Sequence, residues 1–368
     1  MTIPERSMME RGRFAEGESV MGIVYGVGCA DVTIWYGLDR VPDDLGETVV
    51  TIGVFDGVHR GHQELMRRTV QTAEDLHAES VMITFDPHPT VVFLPEAVPP
   101  LLTPVEERAR QAELMGIDHV VVIAFTPEIS SWSPEEYIQK ALIETLHAQG
   151  VIIGTNFTFG KDASGTSQTM KEIGERKGLK VDVVELLEDG DHVVCSTWIR
   201  DRLAQGDMEA VSAALGRAFT VTGEVEHGAG RGGRALGFPT ANQYFPEKFA
   251  LPAEGVYAGY LEVLPRAGED ADAKVGTMPV GQPLPAAISV GHNPTFGHEP
   301  LSVESFVLDH EADLYGREVR VSFIQHLRGQ ETYDSMDELI AAIDRDVQHT
   351  REACCLLYTS DAADASLR

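Results

Sequence analysis

Residues 50–62, VTIGVFDGVHRGH, decide the fold of the first half of this chain. An apolar run ends in closely spaced glycines, and two histidines, His59 and His62, introduce a stretch with helical periodicity. This order predicts a buried strand, a tight turn and a helix. In parallel α/β sheets, turns of this kind lie at the carboxyl ends of the strands, where ligands bind. The stretch therefore predicts a ligand site beside the two histidines.

Strand patterns and helical patterns alternate from Ile34 to about Arg217. The strand patterns are near-continuous runs of valine and isoleucine, which parallel strands buried on both faces require. The predicted strands are Val49–Phe55, Ser80–Phe85, His119–Phe125, Gly150–Asn156 and Lys180–Leu186, and the predicted helices include Gln63–His77, Pro104–Met115 and Pro134–Gln149. The alternation predicts a doubly wound α/β domain.

The pattern changes after Arg217 to short, β-rich segments separated by glycine and proline. These segments predict a small antiparallel β-barrel. They are Phe219–Glu226, Gly255–Leu264, Ala286–Val290, Ser302–Leu308 and Glu318–Phe323. Residues 265–285 are acidic and rich in proline and glycine, which predicts a surface loop. One amphipathic helix over residues 335–351 follows, with Ser335 as its N-cap.

Four segments follow from these patterns. We expect a disordered extension over residues 1–33, an α/β domain over 34–217 and a barrel domain with a C-terminal helix over 218–353. The tail over 354–368 is atypical, and we expect it not to continue the helix and to be an artefact of sequence assembly. The length of the chain is sufficient for two domains that each bury a core.

The composition is that of a folded, acidic protein. Of 368 residues, 43% are hydrophobic and 24% are charged, and the formal net charge is −29. This charge argues against a nucleic-acid partner, because phosphate backbones need clustered lysine and arginine. No apolar run approaches the roughly 18–20 residues that a membrane span needs. The four cysteines lack Cys-x-x-Cys spacing, so we expect no zinc site or disulfide framework and a cytoplasmic location. An oligomer is left open.

The Gly57–His62 segment carries the first candidate site. A helix N-terminus attracts anions through its unpaired N–H groups and its dipole. His59 and His62 are candidate donors to a phosphate whose charge rises during nucleotidyl transfer. Gly57 and Gly61 would let the backbone approach the nucleotide closely. The alternative is a capped helix with two incidental surface histidines.

Two further strand ends are expected at the same edge of the sheet. Asp86 and His88 follow the second strand in the rigid sequence TFDPHP, and Asn156 and Phe159 follow the fourth in NFTFG. Asn156 could form a hydrogen bond with a heteroaromatic ring while Phe159 stacks on it. The alternatives are an ordinary turn at the second strand and a buried aromatic pair at the fourth.

Residues 227–242, HGAGRGGRALGFPTAN, carry the second candidate site. The glycines match the G-x-G-x-x-G pattern, but Leu-Gly-Phe-Pro cannot easily begin the helix that a dinucleotide site needs. The loop can still bind anions through its backbone, with candidate residues Gly230, Arg231, Gly232 and Arg234. The alternative is a plain glycine-rich hairpin.

Oxygen ligands for a metal follow this loop. Thr240 and Asn242 are two residues apart on an extended segment, so both side chains lie on one face and could bind Mg²⁺ together with ATP phosphates. Glu304 interrupts a mostly apolar strand, and burial would raise its pKa and suit it to accept a proton from an alcohol. The alternative for Glu304 is a solvent-facing strand position.

These motifs together resemble the bifunctional bacterial riboflavin kinase/FAD synthetase family, of an actinobacterial type. The resemblance extends from Ile34 to about Ala353 through GVFDGVHRGH, TFDPHP, NFTFG, GRGGRALGFPTANQYF, GVYAG, SVGHNPTFG and SVESFVLD. It implies that residues 34–217 are the FMN adenylyltransferase domain and 218–353 the riboflavin kinase domain. Such an enzyme phosphorylates riboflavin to FMN with ATP, and then adenylylates FMN with ATP to give FAD and pyrophosphate, with Mg²⁺ as cofactor.

The resemblance also assigns roles to residues. It implies that His59, His62 and Arg200 serve adenylylation and that Glu304 activates the riboflavin hydroxyl. Ser196 and Thr197 are similar to the family's phosphate-contacting segment, and Asn293 in SVGHNPTFG is a further substrate-binding candidate. Asn156 and Phe159 would hold the flavin, and Thr240 and Asn242 would bind the metal.

Three positions depart from the family pattern. Cys195 and the bulky Trp198 flank the phosphate-contacting segment, and His292 replaces a threonine-like residue. Trp198 favours one alternative, a riboflavin kinase whose adenylylating domain is weakened. A flavin-binding module without turnover and a nucleotidyltransferase for a non-flavin acceptor are the other two alternatives. Riboflavin-dependent ATP consumption would exclude the binding module, and the second domain argues against the non-flavin enzyme.

Overall fold

Six parallel strands form the central sheet of the first half of the chain. The structure is a computed structural model that describes residues 32–190, 192–227, 238–270, 272–292 and 301–365. The strands are β1 (Thr33–Tyr36), β2 (Thr48–Ile52), β3 (Glu79–Phe85), β4 (His119–Ile123), β5 (Ala148–Gly154) and β6 (Lys180–Val184). Their order across the sheet is β1-β4-β3-β2-β5-β6. The chain therefore changes direction across the sheet between β2 and β5, which is a topological switch point.

Helices cover both faces of this sheet. The longer ones are α1 (Arg60–Leu76), α2 (Val105–Leu114), α3 (Ser167–Lys177), α4 (Ser196–Leu203) and α5 (Met208–Leu215). Shorter helical segments are Leu38–Arg40, Thr90–Phe93, Pro95–Ala97, Pro127–Ser130, Lys161–Ala163 and Pro134–Tyr137, the last continuing as a π-helix over Ile138–Thr145. Two-residue strands pair in small hairpins, Thr158–Phe159 with Gly165–Thr166 and Glu188–Asp189 with His192–Val193. All five residues of β2 are buried, as its apolar sequence predicts.

Six antiparallel strands form a barrel in the second half. They are β7 (Phe219–Glu224), β8 (Ala241–Tyr244), β9 (Gly255–Val263), β10 (Pro283–Gly291), β11 (Ser302–Val307) and β12 (Glu318–Arg328), in the order β7-β12-β9-β10-β11-β8. The ends of this sheet meet where the Glu226 N–H donates to the Asn242 carbonyl (2.8 Å), so the barrel is nearly closed. Helix α6 (Met336–Ala365) packs on β9 and β10.

The apolar core of the barrel extends onto the two helices that precede it. Leu203 and Leu215, from α4 and α5, belong to the same buried cluster as Phe219 and Phe323 of the barrel. The Ala253 N–H of the barrel also donates to the Leu203 carbonyl (3.0 Å). The two helices before the barrel therefore attach it to the first half of the chain.

Several element predictions need correction. The predicted helix Pro134–Gln149 ends earlier, because Ala148 already begins β5 in the middle of the sheet. Two strands, β1 and β8, were missed, since each has only four residues and little apolar alternation. The predicted loop over residues 265–285 contains a hairpin of Lys274–Val275 with Met278–Pro279, and its last three residues belong to β10.

The expectation that the helix does not continue past Cys354 is wrong. Helix α6 runs to Ala365, and the Ser335 hydroxyl caps its first turn by accepting from the Glu338 N–H (3.2 Å). Cys354 is buried, and its carbonyl accepts from the Tyr260 hydroxyl (3.2 Å). The sequence after it contains no glycine or proline, so nothing local ends the helix. The predicted disordered extension over 1–33 falls almost wholly outside the described residues.

Candidate active sites

A cleft of about 540 Å³ opens at the carboxyl ends of β2, β3, β5 and β6, beside the switch point. Its wall includes eight of the residues that the sequence proposed for the first site. They are His59, Gly61, His62, His88, Asn156, Phe159, Ser196 and Thr197. The sequence prediction of a ligand cleft at this edge therefore agrees with the structure, because parallel strands bring their carboxyl ends together.

The two histidines lie against each other at the start of α1. Their ring centroids are 3.6 Å apart, and the planes of the two rings are nearly parallel. His59 is the N-cap of the helix, and its Nδ1 accepts from the His62 N–H (3.4 Å). The Nε2 atom of neutral His59 therefore carries the proton and is a donor. This tautomer is fixed by the helix itself.

Both imidazoles are uncharged near neutral pH. Burial, reinforced by Arg217, lowers the pKa of His59 to about 4. Burial, together with His59, Arg108 and Arg217, also holds the pKa of His62 well below its usual value. The cleft thus presents neutral donors rather than cations beside the helix N-terminus.

The N-terminus of α4 reaches the same cleft. Cys195, Ser196 and Thr197 line the wall, and the Cys195 side chain makes no capping hydrogen bond. The Ser196 hydroxyl donates to the carbonyl of Asp56 (2.8 Å), which ties this helix to the turn after β2. Two helix N-termini, those of α1 and α4, therefore converge on the cleft and suit it for phosphate groups.

Asp56, within the turn after β2, anchors that turn to a distant segment of the chain. The sequence did not identify it as a candidate residue. Its carboxylate is 2% exposed and accepts from the N–H groups of Leu102 (3.0 Å) and Thr103 (2.9 Å). It also pairs with Arg200, which donates through Nε to the carbonyl of Pro100 (2.6 Å). The signal was the polar residue inside the motif GVFDG, whose neighbours are all apolar or glycine.

Arg108 ties two strand ends together and was also missed. The side chain is 1% exposed and donates to the carbonyls of Val54 and Phe85, both at 3.1 Å. It donates in addition to the Thr103 carbonyl (3.1 Å) and the Thr84 hydroxyl (3.2 Å). The guanidinium thus fixes the ends of β2 and β3 at the cleft floor through neutral acceptors.

Aromatic rings line the opposite wall. Phe157 and Phe159 stack with centroids 5.4 Å apart, and Tyr137 packs on Phe159. Phe159 is 7% exposed whereas Phe157 is half-buried, so Phe157 offers the more open ring. The sequence allowed either a buried aromatic pair or a ring that stacks on a ligand, and the two rings are a packed pair that also lines the cleft.

Three residues proposed for the first site, and Trp198 beside it, are not among the residues that line the cleft. Gly57 lies in the turn with φ +83°, where a Cβ would also meet Leu102 at 2.9 Å. Asp86 is exposed, and Arg200 is bound to Asp56 and Pro100. Trp198, which departs from the family pattern, stacks on His192 with centroids 4.1 Å apart.

A row of polar residues crosses the barrel at the second site. Asn242 of β8 is directly opposite Glu304 of β11, which is opposite Ser289 of β10. Because directly paired residues point to the same face of a sheet, the three side chains form one row. Strand register alone therefore brings Asn242 and Glu304 together. Thr240 lies just before β8, and its carbonyl accepts from the Asn242 side chain (3.2 Å).

Glu304 has an environment suited to proton transfer. Burial raises the pKa of its carboxyl group above the ordinary value, although hydrogen bonding with Ser302 partly opposes this. Asn242 is 8% exposed, and its Nδ2 donates to the Thr240 carbonyl (3.2 Å), which leaves Oδ1 as an acceptor. The predicted residues Gly230, Arg231, Gly232, Arg234 and Asn293 lie outside the described residues.

Models of two known protein families match successive parts of the chain. The sequence model of the FAD synthetase family matches residues 41–198, and that of the riboflavin kinase family matches 215–354. The bifunctional riboflavin kinase/FMN adenylyltransferase of Listeria monocytogenes is 31% identical over 82% of this chain and 91% of its own length. The chain belongs to this bifunctional family.

Two further similarities extend over most of the chain. The Pseudomonas fluorescens bifunctional riboflavin kinase/FMN adenylyltransferase is 33% identical over 86% of this chain and 96% of its own. A crystal structure described as a macrolide-efflux protein from Streptococcus pneumoniae has a TM-score of 0.75 and 27% identity, and the match covers 88% of this chain and 99% of that one. The predicted family, the α/β-plus-barrel fold and the assignment as an enzyme with both domains are confirmed.

Across the described part of the chain, no helix has the length and apolar character to cross a membrane.

Proposed function

We propose that the chain phosphorylates riboflavin to FMN in the riboflavin kinase domain and converts FMN to FAD in the FAD synthetase domain, using ATP in both reactions. The observation that carries this proposal is the convergence of two helix N-termini and two neutral histidines on one cleft, beside a second, separate polar row on the barrel. Riboflavin, FMN, FAD and ATP are the small-molecule partners. A cytoplasmic location fits the four cysteines, which lack Cys-x-x-Cys spacing.

In the FAD synthetase domain, a phosphate oxygen of FMN attacks the α-phosphorus of ATP. The bond from that phosphorus to the bridging oxygen breaks, and pyrophosphate leaves. The Nε2–H group of His59 donates to the α-phosphate oxygen, on which negative charge increases in the transition state. A neutral donor serves this step without a proton transfer, and the pKa of His59, lowered to about 4, keeps it in that form.

The remaining groups of the cleft hold the two substrates. Ser196 and Thr197 at the N-terminus of α4 bind phosphate oxygens, and the N-terminus of α1 adds unpaired N–H groups. Asn156 and the stacked pair Phe157–Phe159 hold the flavin ring. The catalytic role of Arg200 stays a prediction, since its guanidinium is bound to Asp56 behind the turn.

In the riboflavin kinase domain, the 5′-hydroxyl of riboflavin attacks the γ-phosphorus of ATP and ADP leaves. The Glu304 carboxylate accepts the hydroxyl proton, for which its raised pKa is suited. The Asn242 amide oxygen and the Glu304 carboxylate lie on one face of the sheet, and the Thr240 hydroxyl is two residues from Asn242; these hard oxygen donors fit Mg²⁺. Bound there with ATP, the ion would neutralise phosphate charge, with Thr240 and Asn242 as its ligands.

Incubation of the purified chain with riboflavin, ATP and Mg²⁺, followed by chromatography of the flavins, tests the proposal. FMN followed by FAD is the expected result. FMN without FAD would contradict the adenylyl-transfer assignment and support the weakened-domain alternative. If neither riboflavin nor added FMN is converted, the chain is a binding module and the proposal is wrong.

A further inference from the structure

Arg217 connects the junction between the domains to the turn that carries His59. It follows Gly216 at the end of α5 and precedes β7, the first strand of the barrel. Its Nη2 donates to the Gly57 carbonyl (2.9 Å), and its Nη1 donates to the carbonyls of Val58 (3.0 Å) and Leu215 (3.2 Å). None of the ion pairs among the described residues includes Arg217. Its hydrogen-bonding groups are thus directed at main-chain carbonyls.

The turn that receives these bonds has an unusual backbone. Phe55 has φ +53° and Val58 has φ +39°, and this region is disfavoured for residues with a Cβ, most of all for a β-branched one. Such conformations persist only where the surroundings hold them in place. The Gln63 side chain adds a second connection, because its Nε2 donates to the carbonyls of Val58 (2.9 Å) and Leu215 (2.7 Å). The junction and the turn are therefore held as one unit.

The turn sets the position of His59, since His59 follows Val58 directly. Val58 is fully buried, so its main chain has no room to shift without disturbing the core beneath it. We infer that Arg217 is a positioning residue for adenylyl transfer, supplied by the segment that belongs to the riboflavin kinase match (215–354). This inference rests on the proposed role of His59 as a donor in the FAD synthetase domain.

Electrostatics support the same role. Arg217 is among the causes that lower the pKa of both His59 and His62, after burial as the largest. The other charged or titratable groups acting on His62 are His59 and Arg108. A cation at this place therefore helps to keep both imidazoles neutral while its hydrogen bonds fix their position.

The test compares Arg217→Gln with Arg320→Gln. Arg320 pairs with Glu262 in the barrel (2.9 Å), and its charge helps to lower the pKa of Glu107 in α2. Its loss therefore removes a cation near the same junction without touching the turn. In one preparation of each full-length variant, initial rates are measured for FMN to FAD and for riboflavin to FMN. For Arg217→Gln we expect kcat of adenylyl transfer to fall about ten- to one-hundred-fold, as small displacements of catalytic groups do. Its KM for ATP and the kinase rate should stay within about two-fold of the wild type.

Arg217→Lys provides the second variant. It keeps the charge but cannot donate to two carbonyls in the planar geometry of a guanidinium, so we expect it to recover only part of the lost kcat. If Arg217→Gln does not fold, the test uses Arg217→Lys alone. The inference then requires that its kcat of adenylyl transfer falls while its kinase rate does not. The inference is wrong if folded Arg217 variants keep the wild-type rate of adenylyl transfer. It is also wrong if Arg217→Gln and Arg320→Gln lose both activities to the same extent. Failure of the wild type to convert FMN would instead refute the proposed function.

Discussion

The turn after β2 and the polar row on the barrel both position candidate catalytic groups, but by different means. In the turn that carries His59, the Asp56 carboxylate accepts from the distant Thr103 N–H, and the distant Arg108 and Arg217 donate to main-chain carbonyls. In the barrel, Asn242 and Glu304 are brought together by the register of two adjacent strands. One site depends on buried charges, whereas the other depends on main-chain hydrogen bonds of the sheet.

This difference has consequences for mutation. Removal of a side chain that supports the turn changes a buried hydrogen-bond network and should affect both stability and adenylyl transfer. A change at the polar row leaves the strand register intact and should affect chemistry alone. The following predictions test this contrast.

Glu304→Gln should lower kinase turnover about 10²- to 10⁴-fold, because the amide cannot accept the hydroxyl proton. FMN adenylylation by the same protein should remain, since the cleft lies elsewhere. Flavin chromatography with riboflavin or FMN as the substrate measures both. Glu224→Gln, at the exposed end of β7, is the matched control and should retain kinase activity. Full kinase turnover in Glu304→Gln would remove Glu304 from the mechanism.

His59→Asn should lower adenylyl transfer about 10²- to 10³-fold, the cost typical of a lost donor to a developing charge. Asparagine is a good N-cap, so α1 should remain stable, whereas His59→Ala loses both the cap and the donor. Comparison of the two variants by thermal unfolding separates these effects. Loss of FMN formation in His59→Asn would contradict the independence of the two sites.

Asp56→Asn should lower the free energy of unfolding by about 2–4 kcal/mol, because it removes the charge of a buried carboxylate that pairs with the partly buried Arg200. Urea unfolding monitored by fluorescence measures this. The exposed pair of Arg60 and Asp189 provides the control, and Asp189→Asn should cost only about 0–1 kcal/mol. A similar small cost for Asp56→Asn would show that the turn does not depend on buried charge.

Acidification should inhibit the kinase before it inhibits adenylyl transfer. Glu304 must be ionised to act, and burial raises its pKa, so kcat/KM of the kinase should fall as the pH drops through that raised value. His59 acts as the neutral form, and its pKa of about 4 preserves that form to lower pH. Profiles of kcat/KM against pH for both reactions measure the separation. If kcat/KM of both reactions falls over the same acidic pH range, one of the two assignments is wrong.

Trp198→Ala should change adenylyl transfer less than about two-fold, the smallest effect expected here. The ring stacks on His192 and is absent from the residues that line the cleft, so its loss removes surface packing rather than a substrate contact. Steady-state rates with FMN and ATP measure the effect. A large gain or loss would restore Trp198 as a determinant of nucleotide binding.

The sequence identified candidate residues for both sites, but it did not identify the buried residues that hold the first site in place. The histidines could be predicted from the strand, glycines and helix around them, and Glu304 from its place in an apolar strand. Asp56 and Arg108 were missed because partners such as Leu102 and Thr84 lie far from them along the chain, and no local pattern shows which distant groups they meet. Arg217 was taken as a domain boundary, since no local pattern shows that a linker donates to Gly57.

The same distinction applies to the fold. Periodicity and turn residues are local, so the sequence by itself determined the parallel sheet, the barrel, the family and most of the candidate residues. The contact of Cys354 in α6 with Tyr260 and the hydrogen bonds of Arg217 with the His59 turn were decided by packing between segments far apart in the chain. A buried hydrogen bond depends on which groups meet once water is excluded, and only the tertiary structure brings those groups together.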